Sequence, residues 1–485
     1  MEKNCRIYKN ELQHILKEDT KMYLHTNKFQ YGMRNNSNIL HGFSKKKRDE
    51  KLEMIGTFFE NKEEVIKSFK SFHHRESEVQ KLIEEFSENT ISNFHLPYSV
   101  APNFLIDGKV YIVPMVIEES SVVAAAAHSA KFWFAHGGFT TEIVGTEKVG
   151  QVHFLWHDDI DLLNRKFPEL KELLITGTAS ITENMRERGG GILDIELRNL
   201  SAQEPGLMQL FCRFETVDAM GANFINSCLE QFSATFKKWY AKQPGFSGHG
   251  LDIIMCILSN LTPECRVRCW VETEFQNFDR QVPGMSGEEF AHRFYTGVRI
   301  AEIDPYRATT HNKGIFNGVD AVVLASGNDF RAVEACGHAF AARSGQYSPL
   351  TKVILDKNKL KFILDMPIAL GVVGGLTNLH PLVKLSLQLL GNPSARELMG
   401  IAAAAGLANN FAAVKSLVTT GIQKGHMKMH LFNIMKQLNV PDSDKDTIVD
   451  YFKDKNVSVS AVRKLVDKLS ANGNTSYPVK ILNEA

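Results

Sequence analysis

At 485 residues the chain is longer than one hydrophobic core usually serves, so two or more domains are expected. Hydrophobic residues make up 44% and charged residues 23%, and 56 basic against 55 acidic side chains leave a net charge of +1. That balance excludes the basic footprint of a nucleic-acid binder, and no apolar run approaches the ~18 residues of a membrane helix.

The N-terminal stretch MEKNCRIYKNELQHILKEDTK lacks the apolar core of a signal peptide. Seven scattered cysteines offer no disulfide or zinc pattern, which fits a reducing cytoplasm. Residues 1–40 read as a polar arm. Helical patterns follow near 45–58 and 62–87, and Lys45 to Arg48 is balanced at once by Asp49 and Glu50. KVYIVPMVIEE (109–119) reads as a buried strand, and the helix after it stops at Gly137 and Gly138. QVHFLWHD, GILDIELRNL and LMQLFCRFETV are three strand candidates, with helices near 160–174 and 223–240. They predict a small inserted α+β domain at 117–228. The large domain is then discontinuous, 41–116 and 229–422.

Further on, a helix over 287–302 and a strand over 319–326 are expected, then a hairpin in KVILDKNKLKFILDMP. Ser394 and Glu397 form a capping box before a long small-residue helix, with Gly421 at its end. Residues 423–485 hold short helices and polar loops.

Few residues announce chemistry by spacing. His426 and His430 lack a third metal ligand, and no Gly-x-Gly-x-x-Gly or P-loop pattern occurs, so a Rossmann domain is disfavoured. Asp218-Ala-Met-Gly-Ala-Asn223 follows a strand and opens a helix, where backbone N–H groups can hold a phosphate; on spacing alone a plain Asp N-cap with a glycine turn is the better reading. Lys313 reads as a turn residue, and Asp329 as lying just past the end of the 319–326 strand. A cation and an anion on two loop ends can meet at one site; the plainer reading makes Asp329 the N-cap of a helix over 330–342.

Several long stretches carry a resemblance in the same order over roughly 40–435. They are ENTISNFHLPYSVAPNFLIDGKVYIVPMVIEESSVVAAAA, VDAMGANFIN, DPYRATTHNKGIFNG, SGNDFRAVEACGHAFAARSG, GVVGGLTNLHPLVKLSLQLLG and GIQKGHMKMH. The chain resembles 3-hydroxy-3-methylglutaryl-coenzyme A reductase in its soluble, mostly prokaryotic class II form. The resemblance implies four catalytic residues: Glu88, Lys313, Asp329 and His426. It implies Arg307, Asn317 and Ala413 at the substrate, and Asp159, Asp218, Met220, Gly221 and Asn223 at the cofactor, with no metal. One departure is Ser92, where many relatives carry glycine beside the acid.

The implied reaction takes two hydrides to turn a thioester into mevalonate and coenzyme A, or runs in reverse. Lys313 would stabilise the developing oxyanion with Asp329 holding it charged, Glu88 would supply a proton, and His426 would protonate the departing thiolate. The implied fold is α/β and α+β: a large domain around a long central helix, a ferredoxin-like nicotinamide-binding insert, and a mobile helical C-terminal flap. Homodimers with interfacial sites are implied, assembling further to hexamers. An acid at Asp159 predicts NADH, with NADPH the alternative. Two other readings are a coenzyme A thioester-binding protein without turnover and an acylating aldehyde dehydrogenase using Cys336.

Overall fold

The computed structural model describes residues 39–279, 284–419 and most of 431–472. Gly421, Gly425, His426 and all but two residues of the 1–40 arm lie outside these. The chain divides into two compact units, one ending at His95 and one beginning at Leu96.

The first unit holds helices α1 (Arg48–Gly56), α2 (Lys62–Ser71) and α3 (Ser77–Glu84). The single helix expected over 62–87 is broken between α2 and α3. The break is stabilised by buried Gln80, whose Oε1 accepts from the His74 N–H.

In chain order the second unit begins with β1 (Tyr98–Ile106), β2 (Lys109–Val116), α4 (Val122–Phe134), β3 (Thr140–Ile143) and β4 (Lys148–Trp156). Then come α5 (Ile160–Gly177), α6 (Ala179–Glu187), β5 (Gly191–Asn199), β6 (Leu207–Glu215), α7 (Ala222–Tyr240), β7 (Leu251–Leu258) and β8 (Arg266–Glu274). The rest is α8 (Gly287–Ile303), α9 (Pro305–Ala325), α10 (Phe330–Ala341), β9 (Thr351–Asp356), β10 (Lys359–Pro367), α11 (Pro381–Leu389), α12 (Ala395–Val418), α13 (Asp442–Tyr451) and α14 (Val459–Asn472).

Helix α12 organises the larger core. Ser394 and Glu397 cap it as expected, each accepting from the other's backbone N–H. The helix is long and apolar enough to cross a membrane, yet 67% of its most apolar stretch is buried. It packs against α4, α8, α9 and the antiparallel sheet β3-β8-β10-β9.

The strand expected over 319–326 is instead the last third of the 21-residue helix α9. Asp304 and Pro305 start this helix, with the Asp304 carboxylate accepting from the Tyr306 N–H. The run Ala321 to Ala325 is apolar because that end of α9 is buried on nearly every side. A short apolar run does not distinguish a buried helix from a buried strand. Lys313 therefore lies on a helix rather than in a turn.

Helices α9 and α12 approach closely through glycine. A Cβ on Gly318 would meet the Ala405 carbonyl oxygen at 2.3 Å, and one on Gly406 would meet Val319 Cγ2 at 2.7 Å. Buried polar side chains fix the register. Asn410 Nδ2 donates to the His311 carbonyl, and Asn312 bonds Ser348 O and the Leu350 N–H. His311 Nε2 meets Thr351 Oγ1, and burial, with Arg307 nearby, pushes its pKa down to about 3.

A second core runs from Val152 to Tyr240. Its antiparallel sheet has the order β5-β6-β4-β7. Strand β4 thus sits between β6 and β7, with α7 packed on both β4 and β7, a β-α-β-β-α-β topology. This core differs from the insert expected at 117–228. Helix α4 belongs to the larger core, whereas all of α7 and strand β7 belong to the smaller one. The non-sequential place of β7 hid that boundary. Helices α13 and α14 share a third, small core with Leu431, Ile434 and Met435.

Gly318→Ala should destabilise the protein by about 1–3 kcal/mol, because two helix backbones must separate. Chemical denaturation measures this; an unchanged midpoint would contradict the close-packing account.

Candidate active site

Two clefts in the second unit collect six of the twelve expected site residues. The first, of about 240 Å³, lies between the start of α4, the middle of α9 and the second half of α12. Asn317 and Ala413 line it with Glu119, Asn409 and Ser416. Lys313, four residues before Asn317 on the same face of α9, is exposed and ion-paired with Glu119. Glu119 was not foreseen. It lies in the bend after β2, inside the expected strand 109–119, where sequence alone gave it no role.

Arg307 lies two turns before Gly314 along the same stripe of α9. Its guanidinium is half-buried, desolvation lowers its pKa, and it makes no hydrogen bond or ion pair among the described residues. A partly desolvated cation without a counter-charge favours an anionic ligand.

The second cleft, of about 330 Å³, lies where α7 begins. Met220, Gly221 and Asn223 line one side, and Asn328, Asp329 and the loop from Gly371 line the other. The loops are joined by an amide clasp: Asn328 Nδ2 donates to Gly371 O at 3.0 Å, and the Gly371 N–H donates to Asn328 Oδ1 at 2.8 Å. Asn328 was also missed, masked in the motif by the aspartate after it.

Asp329 is the N-cap of α10, accepting from the Arg331 and Ala332 N–H groups. The Arg331 guanidinium grips the same carboxylate at two points, 3.0 Å each. Burial opposes ionisation, but Arg331 and the backbone donors outweigh it and hold the Asp329 carboxyl below its usual range.

Lys313 and Asp329 do not meet within the chain. Gly327 and Asn328 donate back to Leu324 O and Val323 O, which ties the loop before Asp329 to the last turn of α9. Lys313 stands twelve residues from that end, about 18 Å along the axis, and two side chains cannot span it. The expected meeting of two loop ends fails because the lysine is on a helix.

The second cleft suits a dinucleotide. Gly221 is the N-cap of α7 at φ 91° and has no side chain to cap the first turn, whose residues Ala222, Asn223 and Phe224 line the cleft. A Cβ on Gly221 would meet Thr216 Cγ2 at 2.5 Å. Asp218 does not line this cleft. Its carboxylate accepts from the Ala395 N–H at the start of α12, and its carbonyl from the Val372 N–H, so it is a joint between the two cores.

Asp159 caps α5, accepting from the Asp161 and Leu162 N–H groups, with Arg165 4.0 Å away. In this geometry the carboxylate serves as a helix cap. Asp158 accepts from Tyr240 Oη and the Ser247 N–H, and Lys166 donates to Gln243.

Glu88 lies in the first unit, exposed, just before Asn89 at φ 60°. The left-handed residue is Asn89 and not Ser92, so serine is accommodated without strain. Ser92 Oγ donates to Phe69 O at the end of α2. His426 lies outside the described residues. Cys336 is 2% exposed, accepts from the Thr262 N–H, and burial pushes its thiol pKa up. It is a core residue and not a nucleophile.

Known proteins support the same assignment. The family model of hydroxymethylglutaryl-coenzyme A reductase matches residues 47–431. The 3-hydroxy-3-methylglutaryl-coenzyme A reductase of Archaeoglobus fulgidus is 36% identical over 440 residues, 89% of this chain and 95% of that protein. A probable reductase of Borreliella burgdorferi is 32% identical over 80% of this chain and 88% of its own. The solved reductase of Streptococcus pneumoniae superposes with a TM-score of 0.65 at 34% identity, covering 88% of this chain and 99% of that one. A class II structure from the same organism, bound to NADPH in open conformations, superposes with a TM-score of 0.64 at 35% identity over 78% of this chain and 99% of that one. The chain belongs to the hydroxymethylglutaryl-coenzyme A reductase family, nicotinamide-dependent oxidoreductases that reduce hydroxymethylglutaryl-coenzyme A to mevalonate.

Proposed function

We propose that this chain carries out that reduction at sites shared between two copies, each combining the first cleft of one copy with the second cleft of the other. The observation that carries it is the ~18 Å of rigid helix between Lys313 and Asp329, which a second copy can bridge and a loop cannot. An apolar stripe supports self-association: Leu382, Leu385 and Leu389 of α11 are exposed, as are Val110 and Ile112 on the neighbouring strand β2. Assembly beyond the dimer, to a hexamer, is part of the same reading.

Two reduced nicotinamide cofactors, bound in turn in the ferredoxin-like smaller domain against Met220, Gly221 and Asn223, would each supply one hydride. Arg307 holds the substrate's free carboxylate, and Asn317 and Ala413 shape the cleft around the acyl group. The Lys313 ammonium, ion-paired to Glu119, faces the carbonyl oxygen as negative charge develops on it. Asp329 of the second copy, held ionised by Arg331, orients that ammonium. Glu88 donates the proton to the oxygen, and His426 donates one to the departing coenzyme A thiolate. Residues 423–485 act as a flap that closes over the bound substrate. The enzyme works in the cytoplasm.

Lys313→Ala should cut reductase turnover by about 10²–10³ through loss of one oxyanion stabiliser. Arg307→Ala should instead raise the KM for hydroxymethylglutaryl-coenzyme A with a smaller effect on kcat. Absorbance of the reduced nicotinamide reads both; turnover within a few-fold of wild type in Lys313→Ala would overturn the lysine's role.

The finer cofactor proposal is NADH over NADPH. A carboxylate, Asp159, caps α5 three residues after strand β4, and a ribose 2′-phosphate beside it would be repelled. Asp159→Ala should narrow the preference. A wild-type preference for NADPH would mean that Arg165, 4.0 Å from that carboxylate, takes the phosphate instead.

A further inference from the structure

The turn between β6 and α7 is the most strained backbone beside the second cleft. Val217, a β-branched residue, is held at φ 51°, a region that costs such residues about 1–3 kcal/mol and persists only where neighbours enforce it. Four residues later Gly221 is at φ 91°. The larger core grips the middle of this turn through Asp218, and Ala219 bridges to Val373. On the side of the smaller core, Thr216 Oγ1 donates to Ala219 O at 2.7 Å, and one buried cation reaches both groups. Lys148, the first residue of β4 and only 4% exposed, donates to Thr216 Oγ1 and, at 3.1 Å, to Ala219 O. These acceptors flank Val217 and Asp218, so one ammonium closes the turn from both ends. Glu215 assists by accepting from the Val217 N–H at 2.7 Å.

A buried lysine is an expensive way to fill space. Burial lowers its pKa, with Cys265, Glu215 and Asp218 acting the other way. A methionine would fit the same volume, which leaves the two hydrogen bonds as the reason for an amine. Met220, Gly221 and Asn223 follow at once and line the cleft.

We infer that Lys148 is a positioning residue for the nicotinamide cofactor: it holds the strained Thr216–Ala219 turn so that the first turn of α7 faces the dinucleotide. This rests on the reading of the second cleft as the cofactor site. Lys148 does not line the second cleft and acts through the turn.

The test is calorimetric titration of the intact enzyme with reduced nicotinamide dinucleotide and, separately, with coenzyme A. Lys148→Met should raise the nicotinamide Kd by about tenfold and leave the coenzyme A Kd within about twofold. Adding Val217→Gly to Lys148→Met should recover much of the loss, since glycine adopts that conformation without strain. A role in general core packing would weaken both ligands alike and would not respond to the glycine; that outcome overturns the proposal. Asn223→Asp separates this proposal from the reading beneath it. An unchanged nicotinamide Kd in Asn223→Asp overturns the cofactor site itself. Weakening there with none in Lys148→Met overturns the role of Lys148 alone. Should Lys148→Met fail to fold, Thr216→Val removes one acceptor, and an unchanged Kd in that variant also counts against the proposal.

Discussion

The rigidity of helix α9 is the constraint from which the site follows. A 21-residue helix carries Arg307, Lys313 and Asn317 in its first two thirds and delivers Asp329 just past its end. It cannot bend to join them, because Gly318 and Gly406 bring it against α12 and His311, Asn312 and Asn410 fix its register. The substrate-side and cofactor-side groups are therefore two surfaces of one chain. Each has part of the chemistry: a lysine and a half-buried arginine on one, a capped and ionised aspartate with a helix N-terminus on the other.

The second cleft depends on the contact between the two cores. Asp218, Ala219 and Gly371 bring the smaller core's turn against the larger core's loop, and a Cβ on Gly371 would meet the Met220 nitrogen at 2.3 Å. Asn328 clasps that loop from the other side. The backbone around a bound dinucleotide is thus set by tertiary contacts and not by the turn's own preference, which is why a valine can be held at positive φ.

Much of this was legible in the sequence where the signal is local. The capping box at Ser394, the N-cap at Asp329 and the hairpin turns follow from side chains within three residues of the backbone they serve. Where the signal is tertiary, reading failed. Ala321 to Ala325 looked like a strand because burial on all sides erases helical periodicity. Lys313 looked like a turn residue because Gly314 and Gly318 flag breaks, yet Gly318 is there for the approach of α12. Asp218 was expected at a phosphate and serves Ala395, 177 residues away. Asp159 shows the limit of a motif: an acid after a strand caps a helix whether or not a ribose binds beside it.

The most direct test of shared sites is complementation between inactive variants. Lys313→Ala and Asp329→Asn would be purified separately, then co-expressed with distinct tags, and the mixed species assayed for reductase turnover. If one copy supplies the lysine and the other the aspartate, the mixed dimer isolated through both tags has about half of wild-type activity, and the unsorted random population about a quarter, because each mixed dimer holds one intact site of two. If each chain builds its own site, the mixed species stays as inactive as its parents, and sites shared between two copies are ruled out.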